Sequence, residues 1–228
     1  HFFVVRSEET IIACNICDIE SALIFATNLD YPCFKVKPNS GLFKNGAERI
    51  NIQNYGYAMW FTWMDRDLSI AGKVIIKDTD SEKPIVKYVN IQNPICTIPN
   101  LASHLTPVPK DAFALKIEEN MKPFISFIDN EDLSKNEPIQ SPTLLNYLAK
   151  ECSCNVSDII DFDLFVISAE EPSTIGLNDE IYASQRISSI LQASFAFDAF
   201  VNSNPQKGMT IFYGYDHEND TSESFTGF

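Results

Sequence analysis

Few residues in this chain could do chemistry, and their spacing limits what that chemistry could be. Histidine occurs three times, at His1, His104 and His217, so no dense imidazole cluster is encoded. Six cysteines stand at 14, 17, 33, 96, 152 and 154. Cys14-Asn15-Ile16-Cys17 has the spacing of half a zinc site or of a redox pair, but a structural zinc needs four donors. No second Cys-x-x-Cys or Cys/His pair completes it, and Cys152-Ser153-Cys154 is too closely spaced to serve. Reduced, mostly buried thiols are therefore expected. Asp65-Arg66-Asp67 carries no catalytic pattern and is expected to form a buried ion pair or a turn. Trp60 and Trp63 read as packing residues.

The elements that must position these residues follow from periodicity and turn chemistry. Thr10 to Cys14 and Ser21 to Thr27 are short apolar runs of the buried-strand type, with Asp18-Ile19-Glu20 as the turn between them. Pro38-Asn39-Ser40-Gly41 and Asn45-Gly46 predict loops. Residues 55–100 read as β-rich, with Trp60 to Trp63 strand-like. Lys73 to Lys77 and Pro84 to Val89 flank a polar turn and predict a hairpin. A polar loop is expected over 130–142. Ser141-Pro142 then starts a helix through Ala149, and a second, amphipathic helix covers Ser188 to Val201. Asp163 to Ser168 and Met209 to Tyr213 are strand candidates. Such a mixture predicts an α/β layer interrupted by a β-rich insertion.

Bulk properties exclude several classes. At 228 residues, 45% hydrophobic and with 17 Phe, the chain can bury a real core and is not disordered. No apolar run approaches the roughly 20 residues needed to span a bilayer. A net charge of −14 opposes binding to a phosphate backbone, so neither nucleic acid nor membrane is an expected partner. The chain opens at His1 inside the mid-strand-like run Phe2-Phe3-Val4-Val5, and a piece of a longer protein is expected.

Two longer runs carry a resemblance. Trp63-Met64-Asp65-Arg66-Asp67-Leu68-Ser69-Ile70-Ala71-Gly72-Lys73-Val74 resembles the W-x-DRDL-x-x-AG-x-V segment of aspartyl aminopeptidases, the M18 metallopeptidases. Pro94-Ile95-Cys96-Thr97-Ile98-Pro99-Asn100-Leu101-Ala102-Ser103-His104-Leu105 is similar to that family's P-I-x-x-I-P-x-L-A-x-H-L. The resemblance implies a zinc-aminopeptidase-like α/β sandwich domain interrupted by a β-rich dimerisation domain. The peptidase-like parts would be 1–36 and 178–228, with the insertion at 37–177. It also implies a large oligomer, and removal of N-terminal Asp or Glu from peptides by two bridged zinc ions.

Carried over residue by residue, the resemblance meets substitutions. Asn28-Leu29-Asp30-Tyr31-Pro32-Cys33 stands where the family has H-T-D-S-P-C, so Asn28 replaces a ligand, while Asp30 keeps the position that orients it. Arg186-Ile187-Ser188-Ser189-Ile190 stands for R-L-D-N-L, which puts Ser188 at the bridging carboxylate. Asp216-His217-Glu218-Asn219-Asp220-Thr221-Ser222 stands for D-N-E-E-V-G-S, so Glu218 keeps the general-base position and Asn219 replaces a ligand. Amide and hydroxyl oxygens are weak zinc donors.

The expectations are therefore a non-catalytic relative with a structural or oligomer-scaffolding role, no metal cofactor, and a cytoplasmic location. Its partners would be copies of itself or related subunits, with His104 at the interface. The alternative is an active aminopeptidase with a rearranged metal site, in which His217 and Asp220 join Glu218, and only then is a peptide substrate expected.

Overall fold

The computed structural model describes residues 2–78, 83–102, 104–105, 115–128 and 138–217. Strands β1 (Phe2–Arg6), β2 (Thr10–Ile16) and β3 (Ala22–Asn28) come first. They are followed by β4 (Cys33–Lys44), β5 (Ala47–Tyr55), β6 (Leu68–Ile76), β7 (Ile85–Asn90), helix α1 (Ile117–Asn120), β8 (Phe124–Phe127), α2 (Pro142–Cys152) and β9 (Ile159–Ser168). The last elements are β10 (Ser173–Ile175), β11 (Ile181–Ala183), α3 (Ile187–Asn202) and β12 (Met209–Tyr215). Two compact units result, one of His1–Pro32 with Glu171–Phe228, the other Cys33–Glu170. The expected boundary at 36/37 falls inside β4, whose antiparallel pairing with β5 begins at Cys33.

In the discontinuous unit the strand order is β1-β2-β12-β3. β12 runs antiparallel to β2 and parallel to β3, so the chain's last strand sits between two of its first. Helix α3 packs through Ala196 and Phe200 onto Ala13 and Phe212. Phe197 meets Phe212 edge-on at 5.2 Å, a favoured aromatic geometry.

The continuous unit holds a six-stranded sheet in the order β7-β6-β9-β4-β5-β8. Its core includes Phe34, Ile50, Ile52, Leu68, Ile70, Leu144, Leu148, Leu164 and Val166. Asn45 and Gly46 close the β4–β5 hairpin in two residues, both at positive φ, 54° and 71°, as this turn requires. The β6–β7 hairpin forms where expected, from Ala71↔Asn90 to Ile76↔Ile85. Gly72 (φ 149°) lies against β9, and a Cβ there would stand 2.2 Å from the Asp163 carbonyl oxygen. Ser141 caps α2 by accepting from Leu144 N at 3.1 Å, with Pro142 in its first turn. Its hydroxyl also donates to the buried carboxylate of Glu48.

Three expectations are corrected. Trp60–Trp63 is a 3-10 turn, not a strand, because Trp60 folds onto Phe34 with ring centroids 4.6 Å apart. Pro38 to Gly41 lies within β4 as a register shift between Val36 and Gly41, a bulge that accommodates the proline. Of the two roles expected for Asp65-Arg66-Asp67, the turn forms, with Asp65 at φ 57°, while the ion pair is not buried: Arg66 meets Glu170 (2.7 Å) at the surface, their side chains 45% and 52% exposed. Most of the expected 130–142 loop lies outside the described residues. Among the described residues no helix is long and apolar enough to cross a membrane.

The two motif-bearing runs meet in space. Asp65 N donates to Ile98 O (2.9 Å), Leu68 N to Cys96 O (3.0 Å) and Thr97 Oγ1 to Arg66 O (3.1 Å). Asp65 Oδ1 in turn accepts from Asn100 N (2.8 Å). Asp65-Arg66-Asp67 therefore anchors one run to the other. Trp63 packs on Phe34 at 5.2 Å, as a core residue would.

Candidate functional site

Parallel strands place their carboxyl ends, and the loops that follow, on one edge of a sheet, where α/β proteins bind ligands. β3 and β12 do this here. Tyr215 pairs with Asn28, and Leu29 N donates to Tyr215 O at 2.7 Å. The antiparallel β2 brings its start to the same edge, where Asp216 N donates to Thr10 Oγ1 (3.4 Å). Asn28 and Asp30 from one segment, Asp216 and His217 from another, and Glu9 from the β1–β2 turn thus share one edge. The N-terminus of α3 delivers Ser189 to it as well.

Asn28 donates through Nδ2 to Ser189 Oγ (3.1 Å) and to the Asp30 carbonyl (3.3 Å). Ser188 itself is exposed and Ser189 half-buried, so the helix presents its second serine to Asn28. Asp30 is buried. Arg186, at φ 61°, places its guanidinium over the Tyr31 ring at 5.5 Å, a cation–π contact beside this corner. Glu218 and Asn219 lie outside the described residues.

The second cluster is charged. His217 Nε2 lies 3.3 Å from Glu9 Oε2 and 3.9 Å from Asp216 Oδ2, all three side chains being a quarter to a third exposed. One donor atom from each of the three residues lies within 4.8 Å of the other two. Burial pushes the Asp216 carboxyl above its ordinary value. The backbone N–H and charge of His217 oppose this, while the charges of Asp30 and Glu9 add to it.

His104 belongs to the other unit, exposed in a turn where Leu105 N donates to Ala102 O (2.8 Å). Leu101 and Leu105 beside it are 62% and 63% exposed. All six cysteines are free thiols. Cys14, Cys33, Cys96 and Cys152 are buried, Cys154 is half-buried and Cys17 is exposed.

A paired zinc centre requires anionic or imidazole donors and an anion shared by both ions. The residues present at 28 and 188 do not fit it. An amide whose nitrogen is spent on a hydroxyl and a carbonyl offers one neutral oxygen, and Ser188 is a neutral hydroxyl. Glu9 was missed in the sequence, where it reads as part of a solvated acidic turn, Ser7-Glu8-Glu9. Only strand order brings it to Asp216 and His217.

Comparison with known proteins adds a family. The family model described as Aminopeptidase I zinc metalloprotease (M18) matches residues 1–228. Aspartyl aminopeptidase 1 of Schizosaccharomyces pombe is 30% identical over 247 residues, covering 99% of this chain and 52% of that protein. A probable M18 family aminopeptidase 2 of Clostridium novyi is 32% identical over 205 residues, covering 90% and 46%. The chain thus spans about half the length of the curated relatives it matches. Among solved structures, that of the Ape4 and Nbr1 complex superposes with a TM-score of 0.87 at 30% identity, covering 99% of this chain and 46% of that one. Chaetomium thermophilum mApe1 gives 0.86 at 27%, covering 99% and 53%.

These findings correct one expectation, that of no metal cofactor. The matched family is one of zinc metalloproteases, so zinc is the metal to which the comparisons point. The expectation extended neutral donors at a few positions to the whole chain. The Glu9, Asp216 and His217 cluster shows that metal-type donors also stand beside them.

Proposed function

Because the chain belongs to the M18 aminopeptidase family, we propose that it forms an M18-type subunit with a structural role, whose corner between Asn28 and Ser189 is closed by hydrogen bonds. Its role is then to build the oligomer, or to regulate related subunits within it, and not to cleave peptides with paired ions. The observation that carries this reading is the Asn28 amide, which donates to Ser189 Oγ at 3.1 Å and to the Asp30 carbonyl at 3.3 Å. A ligand-type His with Asp behind it, facing a bridging carboxylate, is replaced by a closed neutral contact. The exposed Leu101, His104 and Leu105 supply the interface, the apolar pair giving it area and His104 reaching toward the neighbouring subunit.

One observation favours a second reading, an aminopeptidase with a rearranged metal site. Asp216 and His217 lead directly into Glu218, the family's general-base position, and they cluster with Glu9. One experiment separates the two. The purified chain is assayed, with added zinc or cobalt, for release of Asp or Glu from the N-terminus of a peptide, while light scattering reports its oligomeric state. An oligomer without turnover is the expected result. Turnover that disappears in Glu218→Gln establishes the second reading and removes the first.

A further inference from the structure

Two donors each about 2.0–2.1 Å from a tetrahedral zinc stand about 3.3 Å apart. His217 Nε2 and Glu9 Oε2 are separated by 3.3 Å. The Asp216 carboxylate is 3.9 Å from the same nitrogen, within reach of a side-chain rotation. Two carboxylates and a neutral imidazole match the charge of a divalent ion and the donor preference of zinc. Independently of these distances, the chain matches a family of zinc metalloproteases over its whole length. At positions 28 and 188, meanwhile, the family's own corner carries neutral side chains. The family's metal and an unsuitable corner at 28 and 188 together point to donors elsewhere on the same sheet edge.

We propose that Glu9, Asp216 and His217 form a mononuclear zinc site, displaced across the sheet edge from the β3 side of β12 to its β2 side. The elements make the displacement short. Asp216 and His217 follow β12 directly, and Glu9 precedes β2, the strand that pairs with β12 on the side away from β3. Three protein donors leave one position of a tetrahedral ion open to water, the pattern of a reactive site and not of a closed structural one. The site requires no turnover, so it stands whether or not the chain cleaves peptides.

The test is optical and uses no substrate. The full chain is stripped with chelator and dialysed, then titrated with Co²⁺ by visible absorption and with Zn²⁺ by calorimetry. One equivalent with the absorption of four- or five-coordinate cobalt is the expected outcome. His217→Ala and the near-isosteric Glu9→Gln should each weaken binding about tenfold or more, the loss that even an outer-sphere partner causes. Circular dichroism checks that both variants fold. Asn28→Ala should leave the affinity unchanged. Absence of saturable binding overturns the site. So does affinity indifferent to His217→Ala and Glu9→Gln, because diffuse attraction to a chain of net charge −14 then explains it. Loss on Asn28→Ala alone places the ion at the family corner and also overturns the proposal. Cobalt bound without peptide release leaves the scaffold reading intact; binding with turnover removes that reading alone.

Discussion

Asn28→Asp is the most informative single change, because it alters one atom type at the corner on which the functional reading rests. The Asn28 Nδ2 now donates to Ser189 Oγ and to the Asp30 carbonyl, at 3.1 and 3.3 Å. A carboxylate oxygen in its place can still accept from the serine hydroxyl. Against the Asp30 carbonyl it sets acceptor on acceptor, so one hydrogen bond is lost and a repulsion takes its place. A net hydrogen bond contributes about 1 kcal/mol, and a partly buried acceptor left facing another costs about as much again. The expected loss is about 2 kcal/mol at pH 7 in the presence of chelator, read from the urea midpoint at unchanged slope. The introduced carboxyl should hold its proton more tightly in the folded state, so the penalty is present at neutral pH and shrinks as pH falls toward 4. A variant as stable as the parent at pH 7 would mean that the amide oxygen, not the nitrogen, faces the Asp30 carbonyl. The corner would then offer that carbonyl no donor, and Asn28 would not close it.

Other outcomes follow from the remaining geometry. Gly72→Ala would force a Cβ to within 2.2 Å of the Asp163 carbonyl oxygen, so the β6–β9 ladder must open. Calorimetry should show a loss of about 3 kcal/mol or more, and full stability would contradict the close approach. Burial pushes the Cys96 thiol up to about 12, so at pH 8 a thiol reagent should label exposed Cys17 first and reach Cys96 only on unfolding. Rapid labelling of Cys96 in the native protein would contradict its burial. The Lys37 Nζ hydrogen bond at 2.8 Å leads the causes that hold the Glu118 carboxyl below its ordinary value of 4.5. The stabilisation this pair brings is complete above that value and is lost as pH falls through the lowered one. Lys37→Met should return the Glu118 titration toward 4.5 by NMR, and an unmoved titration would assign the depression to Lys122 instead.

How much could be read in advance depended on how local each signal was. The helix opened by Ser141 and Pro142 and the Asn45-Gly46 turn are set by neighbours in sequence, and both are found where expected. Met209 to Tyr213, read as a strand from its apolar run, is one, extended to Tyr215. Trp60 to Trp63 misled because aromatic residues favour strands only when a sheet face is there to receive them. Here Phe34 receives Trp60 in a turn. The Pro38 segment misled because a proline marks a loop only until a bulge absorbs its missing N–H.

By itself the sequence determined the family, through motif runs read without coordinates, and it marked Asn28, Ser188 and Asn219 as the positions where the resemblance expects ligands. Residue type decides what a side chain can coordinate, and type is visible in one dimension. Only the tertiary structure decided what the Asn28 side chain meets. Insertion of β12 between β2 and β3 is a pairing between distant segments, set by the burial of Ala13, Phe200 and Phe212 in one cluster. That pairing carries Glu9 to His217, residues separated by 208 positions in sequence. No local propensity encodes such a meeting, because the free energy that fixes it belongs to the assembled sheet and its helix.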